Sequence, residues 1–173
     1  MTSGSVSHHY PAPVLVLGLG NILLHDDGLG PNLLQELAKK YEHQASVEFV
    51  DGGTQGLALL GRLEGRQALV ILDAVATGHE PGSVLVLEGQ DVLRFATTRA
   101  TTAHEGNAGE LLATAAFLAE LPDKCYIIGV EPKELDTGLG LSRDVHRSLK
   151  VALRKAQHVL DGLLEEIGQP VGA

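Results

Sequence analysis

The stretch that most constrains the fold of this chain runs from Val14 to Gly30 and reads VLVLGLGNILLHDDGLG. Its first four residues form an aliphatic run without alternation, which is typical of a strand buried on both faces of a parallel sheet. Gly18 and Gly20 give the backbone the freedom to turn sharply after this strand. An amphipathic run from about Gly30 to Tyr41 then predicts a helix. The chain therefore opens with a central strand, a tight turn and a helix.

Two adjacent acids, Asp26 and Asp27, lie between this strand and this helix. Carboxylates are favoured at a helix N-terminus, so one of the two is expected to cap the helix, which leaves the other available. A glycine-any-glycine turn after a first strand also suggests a dinucleotide site. That fingerprint requires a third glycine at the position of Leu23, so the dinucleotide interpretation is weak.

The remaining apolar patterns alternate between strands and helices. Strands are predicted at residues 47–50, 67–72, 83–88 and 126–130, and helices at residues 56–63, from 109 onward and after Ser142. The strand at 83–88 follows Pro81 and Gly82 with no room for a helix, so we expect it to be antiparallel or at a sheet edge. Residues 91–107, rich in threonine, are predicted to be the least regular region. The pattern predicts a three-layer α/β fold with about five mostly parallel, twisted strands and helices on both faces.

Composition restricts the class of protein. The 173 residues suit one domain, placed at residues 13–168 between tails at 1–12 and 169–173. A formal charge of −9 and 3% aromatic residues argue against nucleic-acid binding. The single cysteine, Cys125, provides neither a disulfide nor a thiolate metal site. No signal peptide or membrane span is apparent, so we expect a cytoplasmic protein without membrane insertion, and a monomer.

Three aspartates follow the first three predicted strands. In a parallel sheet Asp27, Asp51 and Asp73 share the carboxyl edge, where α/β sheets bind ligands. His104, in the irregular region before a helix, could join them. Two carboxylates and one imidazole suit a divalent ion such as zinc, nickel, manganese or iron at an open site. The sequence therefore predicts a metal site at Asp27, Asp73 and His104.

Simpler roles compete for some of these side chains. Asp51 precedes two glycines, and a carboxylate there often only accepts hydrogen bonds from turn amides. Asp73 stands between apolar residues, where an unpaired carboxylate is costly, and this favours a functional role. His25, beside the acids, could support the site from outside.

Five successive segments resemble the motifs of the NiFe-hydrogenase maturation endopeptidases, over about residues 13–165. These segments are GLGNILLHDDGLG, VDGGTQGLALL, ILDAVATGHEPGSV, AHEGNAGELL and IIGVEPKELDTGLGLS. The resemblance implies a phosphorylase/hydrolase-like fold and a cytoplasmic endopeptidase, nominally aspartic-type or metal-dependent. Such an enzyme removes the C-terminal extension from the precursor of a hydrogenase large subunit after nickel has been inserted.

The same resemblance implies roles for individual residues. The family's metal-binding positions fall on Asp27, Asp73 and His104, and the nickel is expected to come with the substrate, although other divalent ions can occupy such a site. Asp51 matches a position important for cleavage or for shaping the cleft, so Asp51, Asp27 and Asp73 are the predicted catalytic residues. Two positions depart from the family pattern: Asp27 is more often glutamate, and Asn107 is usually glycine.

Two alternatives remain open at the level of sequence. The chain could inspect or escort a nickel site without cutting. It could also be a receiver-like phosphoacceptor domain that uses Asp26 with Asp27, Asp73 and Lys133. The DGGT segment and the threonine-rich stretch have no place in a receiver domain.

Overall fold

A computed structural model of the chain describes residues 11–99 and 108–168. The predicted C-terminal tail, residues 1–10 of the predicted N-terminal tail, His104 and Asn107 lie outside the described residues. The strands are β1 (Val14–Leu19), β2 (Val47–Gly53), β3 (Ala68–Ala74), β4 (Val84–Glu88) and β5 (Lys124–Val130). The helices are α1 (Leu29–Lys40), α2 (Gln90–Arg99), α3 (Ala108–Phe117) and α4 (Arg143–Ile167), and 3₁₀ helices cover His25–Gly28 and Gly56–Arg62.

The five strands form one sheet in the order β2-β1-β3-β5-β4. β1 pairs in parallel with β2 and β3, and β3 pairs in parallel with β5. β4 lies at the edge and is antiparallel to β5, as its short connection predicts. The register places Asp51 beside Gly18 and Asp73 beside Gly129, so both aspartates lie toward the carboxyl ends of parallel strands.

Helices cover both faces of the sheet, which confirms the predicted three-layer α/β architecture. The side chains of β1 alternate between the two faces: Val14 and Val16 pack in one core with α1 and α4, whereas Leu15 and Leu17 pack in the other with α2 and α3. All four are 0% exposed, which explains the uninterrupted aliphatic run in the sequence. Although α4 has 25 residues, no helix in the described part of the chain is long and apolar enough to cross a membrane.

The prediction of an irregular region at residues 91–107 is wrong for its first part, because Gln90–Arg99 forms α2. Val92 and Ala96, four residues apart, are buried against the second core. The hydroxyl of Thr97 donates to the carbonyl oxygens of Leu93 and Arg94 within the helix. Threonine hydroxyls can therefore be satisfied by helix carbonyls one turn back, and their density does not exclude a helix.

The start of α1 packs directly on the ends of two central strands. A Cβ added to Gly30 would lie 2.1 Å from the carbonyl oxygen of Leu19 and 2.4 Å from that of Leu72. A Cβ on Gly18 would lie 2.9 Å from the carbonyl oxygen of Gly30. Only glycine permits this approach, because the obstructing atoms belong to the backbone. The contact brings the acid pair at residues 26–27 to the ends of β1 and β3.

Candidate active site

Asp27 lies in the 3₁₀ turn His25–Gly28, between β1 and α1. Its side chain is half-buried, and its Oδ2 accepts a hydrogen bond of 2.7 Å from the backbone N–H of Asn21. Gly20 approaches the backbone of Asp27 so closely that an added Cβ would lie 1.8 Å from its carbonyl oxygen. The turn at Gly20 and Asn21 therefore packs against the backbone of Asp27 and binds its carboxylate.

Asp73 lies inside β3 rather than after it, and its side chain is only 7% exposed. Burial and the negative charge of Asp27 raise the pKa of Asp73 well above its usual range, against the backbone N–H groups of Ala74 and Ala108, which lower it. The amide of Ala108 belongs to the first turn of α3, whose N-terminus also favours a negative charge. Negative charge on both carboxylates is therefore mutually repulsive, and a cation at this edge would relieve that repulsion.

The third predicted ligand, His104, lies outside the described residues, so the structure brings together Asp27 and Asp73 but does not place the imidazole. Among residues 11–99 and 108–168, no three histidine, cysteine, aspartate or glutamate side chains form a group that could hold a metal ion. The predicted set of Asp27, Asp73 and His104 therefore remains a prediction.

Asp51 is exposed at the carboxyl end of β2, and its Oδ1 accepts a 3.0 Å hydrogen bond from the N–H of Gly53. It therefore makes the turn contact that the simpler interpretation expects. Its side chain also lines a groove of about 490 Å³ between β2 and α1. The other groove residues are Ile22, Pro31, Asn32, Leu34, Gln35, Ala38 and Phe49. The groove combines apolar walls with three polar side chains, of which Asp51 is the charged one.

Neither Asp26 nor Asp27 caps α1, so the prediction that one of them does is wrong. The N-cap of α1 is Gly28, without a side-chain cap hydrogen bond. Asp26 is instead 0% exposed and accepts backbone hydrogen bonds from Lys133 (2.8 Å), Glu134 (2.9 Å) and Ser142 (2.6 Å). Burial would raise the pKa of Asp26, but these N–H donors together hold it below its usual value.

Glu131, which the sequence did not single out, is a second buried carboxylate of the same kind, with 6% exposure. Its oxygens accept hydrogen bonds from the N–H and hydroxyl of Thr77 at 2.8 Å each, and from the N–H of Gly78 at 3.2 Å. Burial opposes ionisation, but these donors lower the pKa of Glu131. The sequence carries a weak signal for it, since an acid directly after a buried strand needs partners.

The segments at residues 21–26 and 133–142 interlock through their backbones. The N–H of Gly138 donates to Leu23 (2.8 Å), while the N–H of His25 donates to Gly138 and that of Asp26 to Glu134, at 3.0 Å each. The ring of His25 lies against Gly138, and its Nδ1 is 3.4 Å from an Asp136 oxygen. Four exposed apolar side chains belong to this pair of segments: Ile22, Leu23, Leu135 and Leu139. These two interlocked segments therefore expose apolar surface on the connection that carries Asp27.

Lys133 does not occupy the position that a receiver domain requires. Its Nζ lies 2.7 Å from the carboxylate of Asp144 in α4, and its backbone N–H is bound by Asp26. The lysine is therefore paired away from Asp73, and this arrangement disfavours the receiver alternative.

Comparison with known proteins decides the family. The family model described as hydrogenase maturation protease matches residues 31–159. The hydrogenase expression/formation protein HupD of Rhizobium leguminosarum bv. viciae is 36% identical over 152 residues, which cover 87% of this chain and 75% of that relative. The chain belongs to the hydrogenase maturation protease family. The hydrogenase 2 maturation protease of Escherichia coli K12 is 34% identical over 143 residues, covering 82% of this chain and 87% of that protein.

Solved structures of proteases from the same family share the fold. The E. coli hydrogenase maturating endopeptidase HybD superimposes with a TM-score of 0.74 at 32% identity, covering 90% of this chain and 93% of that one. The [NiFe] hydrogenase maturation protease HybD from Thermococcus kodakarensis gives a TM-score of 0.65 at 29% identity, covering 84% and 97%. Family membership identifies the chain as a peptidase of hydrogenase maturation and goes against the receiver alternative.

Proposed function

We propose that this chain is an endopeptidase that removes the C-terminal extension of a NiFe-hydrogenase large-subunit precursor after nickel insertion. The nickel is part of the substrate and docks against Asp27, Asp73 and His104. Cleavage is thereby coupled to metal loading, because a precursor without nickel cannot complete the contact.

The observation that carries this proposal is the meeting of Asp27 and Asp73 at the carboxyl edge. Asp73 is almost fully buried, and burial together with the negative charge of Asp27 raises its pKa. A metal-loaded substrate supplies the positive charge that this pair needs, whereas an unloaded precursor leaves the repulsion in place. Carboxylate oxygens with an imidazole are ligands that nickel accepts.

Asp51 and its groove supply the second part of the proposal. The groove, which is lined by residues from Ile22 to Asp51, is the surface on which a segment of the precursor is proposed to lie. Hydrolysis of a peptide bond requires a group that takes a proton from water, and Asp51 is the exposed carboxylate in the groove. Asp27 and Asp73 orient the substrate through its nickel.

Covalent catalysis by the single cysteine is not part of the mechanism. Cys125 is 4% exposed within β5, and burial, followed by the charge of Asp123, raises the pKa of its thiol to about 12. A thiol held protonated and inaccessible cannot attack a substrate carbonyl.

Intact-mass spectrometry of a hydrogenase large-subunit precursor tests the proposal. The precursor is incubated with this chain with and without prior nickel loading, and a D73N variant serves as a control for a contaminating protease. We expect loss of a C-terminal peptide only from the nickel-loaded precursor and only with the wild-type chain. Equal cleavage of both precursors would contradict the nickel requirement.

The remaining alternative, an escort that binds without cutting, gives a different result in the same experiment. It predicts a stable complex with the nickel-loaded cognate precursor and no change in precursor mass. Size-exclusion chromatography of the same mixtures, followed by mass measurement, distinguishes the two functions.

A further inference from the structure

Asp26 is a buried ionisable group that the proposed mechanism does not use, and it adjoins a residue that the mechanism does use. Its carboxylate is 0% exposed and is held by N–H donors from both ends of the segment 133–142. Oδ2 receives Lys133 and Glu134, and Oδ1 receives Ser142. A side chain bound at both oxygens by a distant segment has one orientation only.

The orientation of Asp26 restricts that of its neighbour Asp27, whose Oδ2 also accepts a hydrogen bond from the N–H of Asn21. Both residues belong to the 3₁₀ turn His25–Gly28, in which successive side chains point about 120° apart around the axis because there are about three residues per turn. When Asp26 faces the segment 133–142, Asp27 faces a different direction, where its charge acts on Asp73. Rotation of the turn would move both carboxylates together.

The turn needs such an external restraint. His25, which opens it, has a φ of 43°, a left-handed conformation that a residue with a side chain rarely adopts. The N–H of His25 donates to the carbonyl of Gly138, so the same distant segment also stabilises this conformation. A strained backbone conformation persists only where several surrounding contacts hold it in place.

We propose that Asp26 is a positioning residue that fixes the direction in which Asp27 points. The proposal rests on the proposed function, because it assigns to Asp26 an effect on cleavage that passes through Asp27. Asp26 itself touches neither substrate nor nickel.

The test compares D26N with E131Q in single-turnover cleavage of the nickel-loaded precursor, with enzyme in excess. Asparagine keeps the shape of Asp26 but replaces one acceptor oxygen with a donor that faces backbone N–H groups. Glu131 is a matched control, since it is an equally buried carboxylate that holds backbone amides at residues 77 and 78. We expect D26N to slow the cleavage step about 100-fold with little change in KM, as a displaced reacting group does. E131Q should stay within about threefold, as expected for a structural change away from the reacting groups.

A double-mutant cycle separates positioning from general structural damage. If Asp26 acts through Asp27, the variant D26N/D27N should cleave no more slowly than D27N alone, because the group being positioned is already lost. Independent losses that multiply would overturn the proposal. Equal rates for D26N and E131Q, at temperatures where circular dichroism shows both to be folded, would also overturn it.

A second pair of variants tests the same link from the other side, should D26N fail to fold. Ser142 has a φ of −57°, which proline accepts, so S142P removes the N–H that binds Asp26, whereas S142A keeps it. Slower cleavage by S142P than by S142A supports the proposal, and equal rates contradict it. If the wild-type chain itself fails to cleave the loaded precursor, the proposed function fails, which is a different result from any difference between variants.

Discussion

Asp26 and Asp73 are two buried aspartates at the same edge of the sheet, and their surroundings act on them in opposite ways. For both, burial opposes ionisation. At Asp26, backbone N–H groups of Lys133, Glu134 and Ser142 overcome this cost and lower the pKa. At Asp73, the charge of Asp27 adds to burial and raises the pKa, against two backbone amides. The fold therefore favours the charged form of Asp26 and disfavours the charged form of Asp73.

This difference shows how a structural acid can be distinguished from a candidate functional one. A carboxylate whose oxygens are taken by amides from a distant segment holds the chain together and has nothing left to offer a substrate. A carboxylate that is buried against another negative charge destabilises the folded protein unless a cation arrives. Substitutions at Asp73, Gly30, Asp51 and Glu131 test this distinction and the structure around the candidate site.

The largest effect is expected for D73N, which should reduce cleavage of the loaded precursor about 10³-fold, as loss of a preorganised charge does. The same variant should be at least as stable as the wild-type chain at neutral pH. A raised pKa gives a contribution to stability that is present below the unfolded value of about 3.9 and is lost as pH rises through the folded pKa. Urea unfolding at pH 7 and pH 3 checks this, since the advantage of D73N should vanish at the lower pH. If D73N lost both activity and stability at neutral pH, Asp73 would be a structural acid like Asp26.

G30A should lower the free energy of unfolding by about 3 kcal/mol or more, because its Cβ would overlap backbone atoms that cannot rotate away. The substitution disrupts the packing of Gly30 on the ends of β1 and β3, close in sequence to Asp27 and Asp73. G61A is the matched control, since nothing lies within 4 Å of the Cβ position at Gly61. Urea denaturation of the two variants measures the difference, and equal stabilities would mean that α1 can move away from the strand ends.

D51N should reduce cleavage about 100-fold, which is the lower end of the contribution of a general base. Its stability should change by less than about 0.5 kcal/mol, because the side chain is exposed and asparagine retains an oxygen for the N–H of Gly53. D91N, at an exposed aspartate of α2, provides the control. If D51N cleaved the precursor at the full rate, Asp51 would not be the general base, and its role would be limited to the hydrogen bond from the N–H of Gly53.

E131Q should lower the free energy of unfolding by about 2 kcal/mol at pH 7, because its hydrogen bonds lose a charged acceptor. The lowered pKa of Glu131 contributes stability above the unfolded pKa of about 4.3, and this is lost as pH falls through the folded pKa. The difference between E131Q and wild type should therefore disappear in acid. Unfolding curves at pH 7, 5 and 3 test this, with E80Q as the control, since Glu80 is an exposed glutamate in the connection between β3 and β4 that Glu131 binds.

The sequence was sufficient for the fold because its local patterns agree with one another. The apolar run from Val14, the acids that follow three strands, and the short connection to β4 all predict the sheet that is observed. Prediction failed at α2, where threonine density suggested a loop. This segment is helical because Val92 and Ala96 are buried in the second core. That burial depends on tertiary packing, which a local sequence pattern does not show.

The candidate site was predictable only in part. Asp27 and Asp73 follow from the rule that strand ends share an edge, and the charge of Asp27 does act on Asp73, but their role as metal ligands stays a prediction. The role of Asp26 could not be read from the sequence, since its partner Ser142 is 116 positions away. A buried carboxylate reveals its role through its donors, and those donors are set by tertiary structure.

The separation between Asp26 and its donors also has a consequence for synthesis. A ribosome adds about 5–20 residues per second, so the turn that carries Asp27 is synthesised on the order of 5–20 s before residues 133–142. During that interval Asp26 has none of the three N–H partners that it has in the folded chain. Completion of the turn therefore has to wait until most of the chain has been translated, and a nascent fragment lacks the assembled cleft.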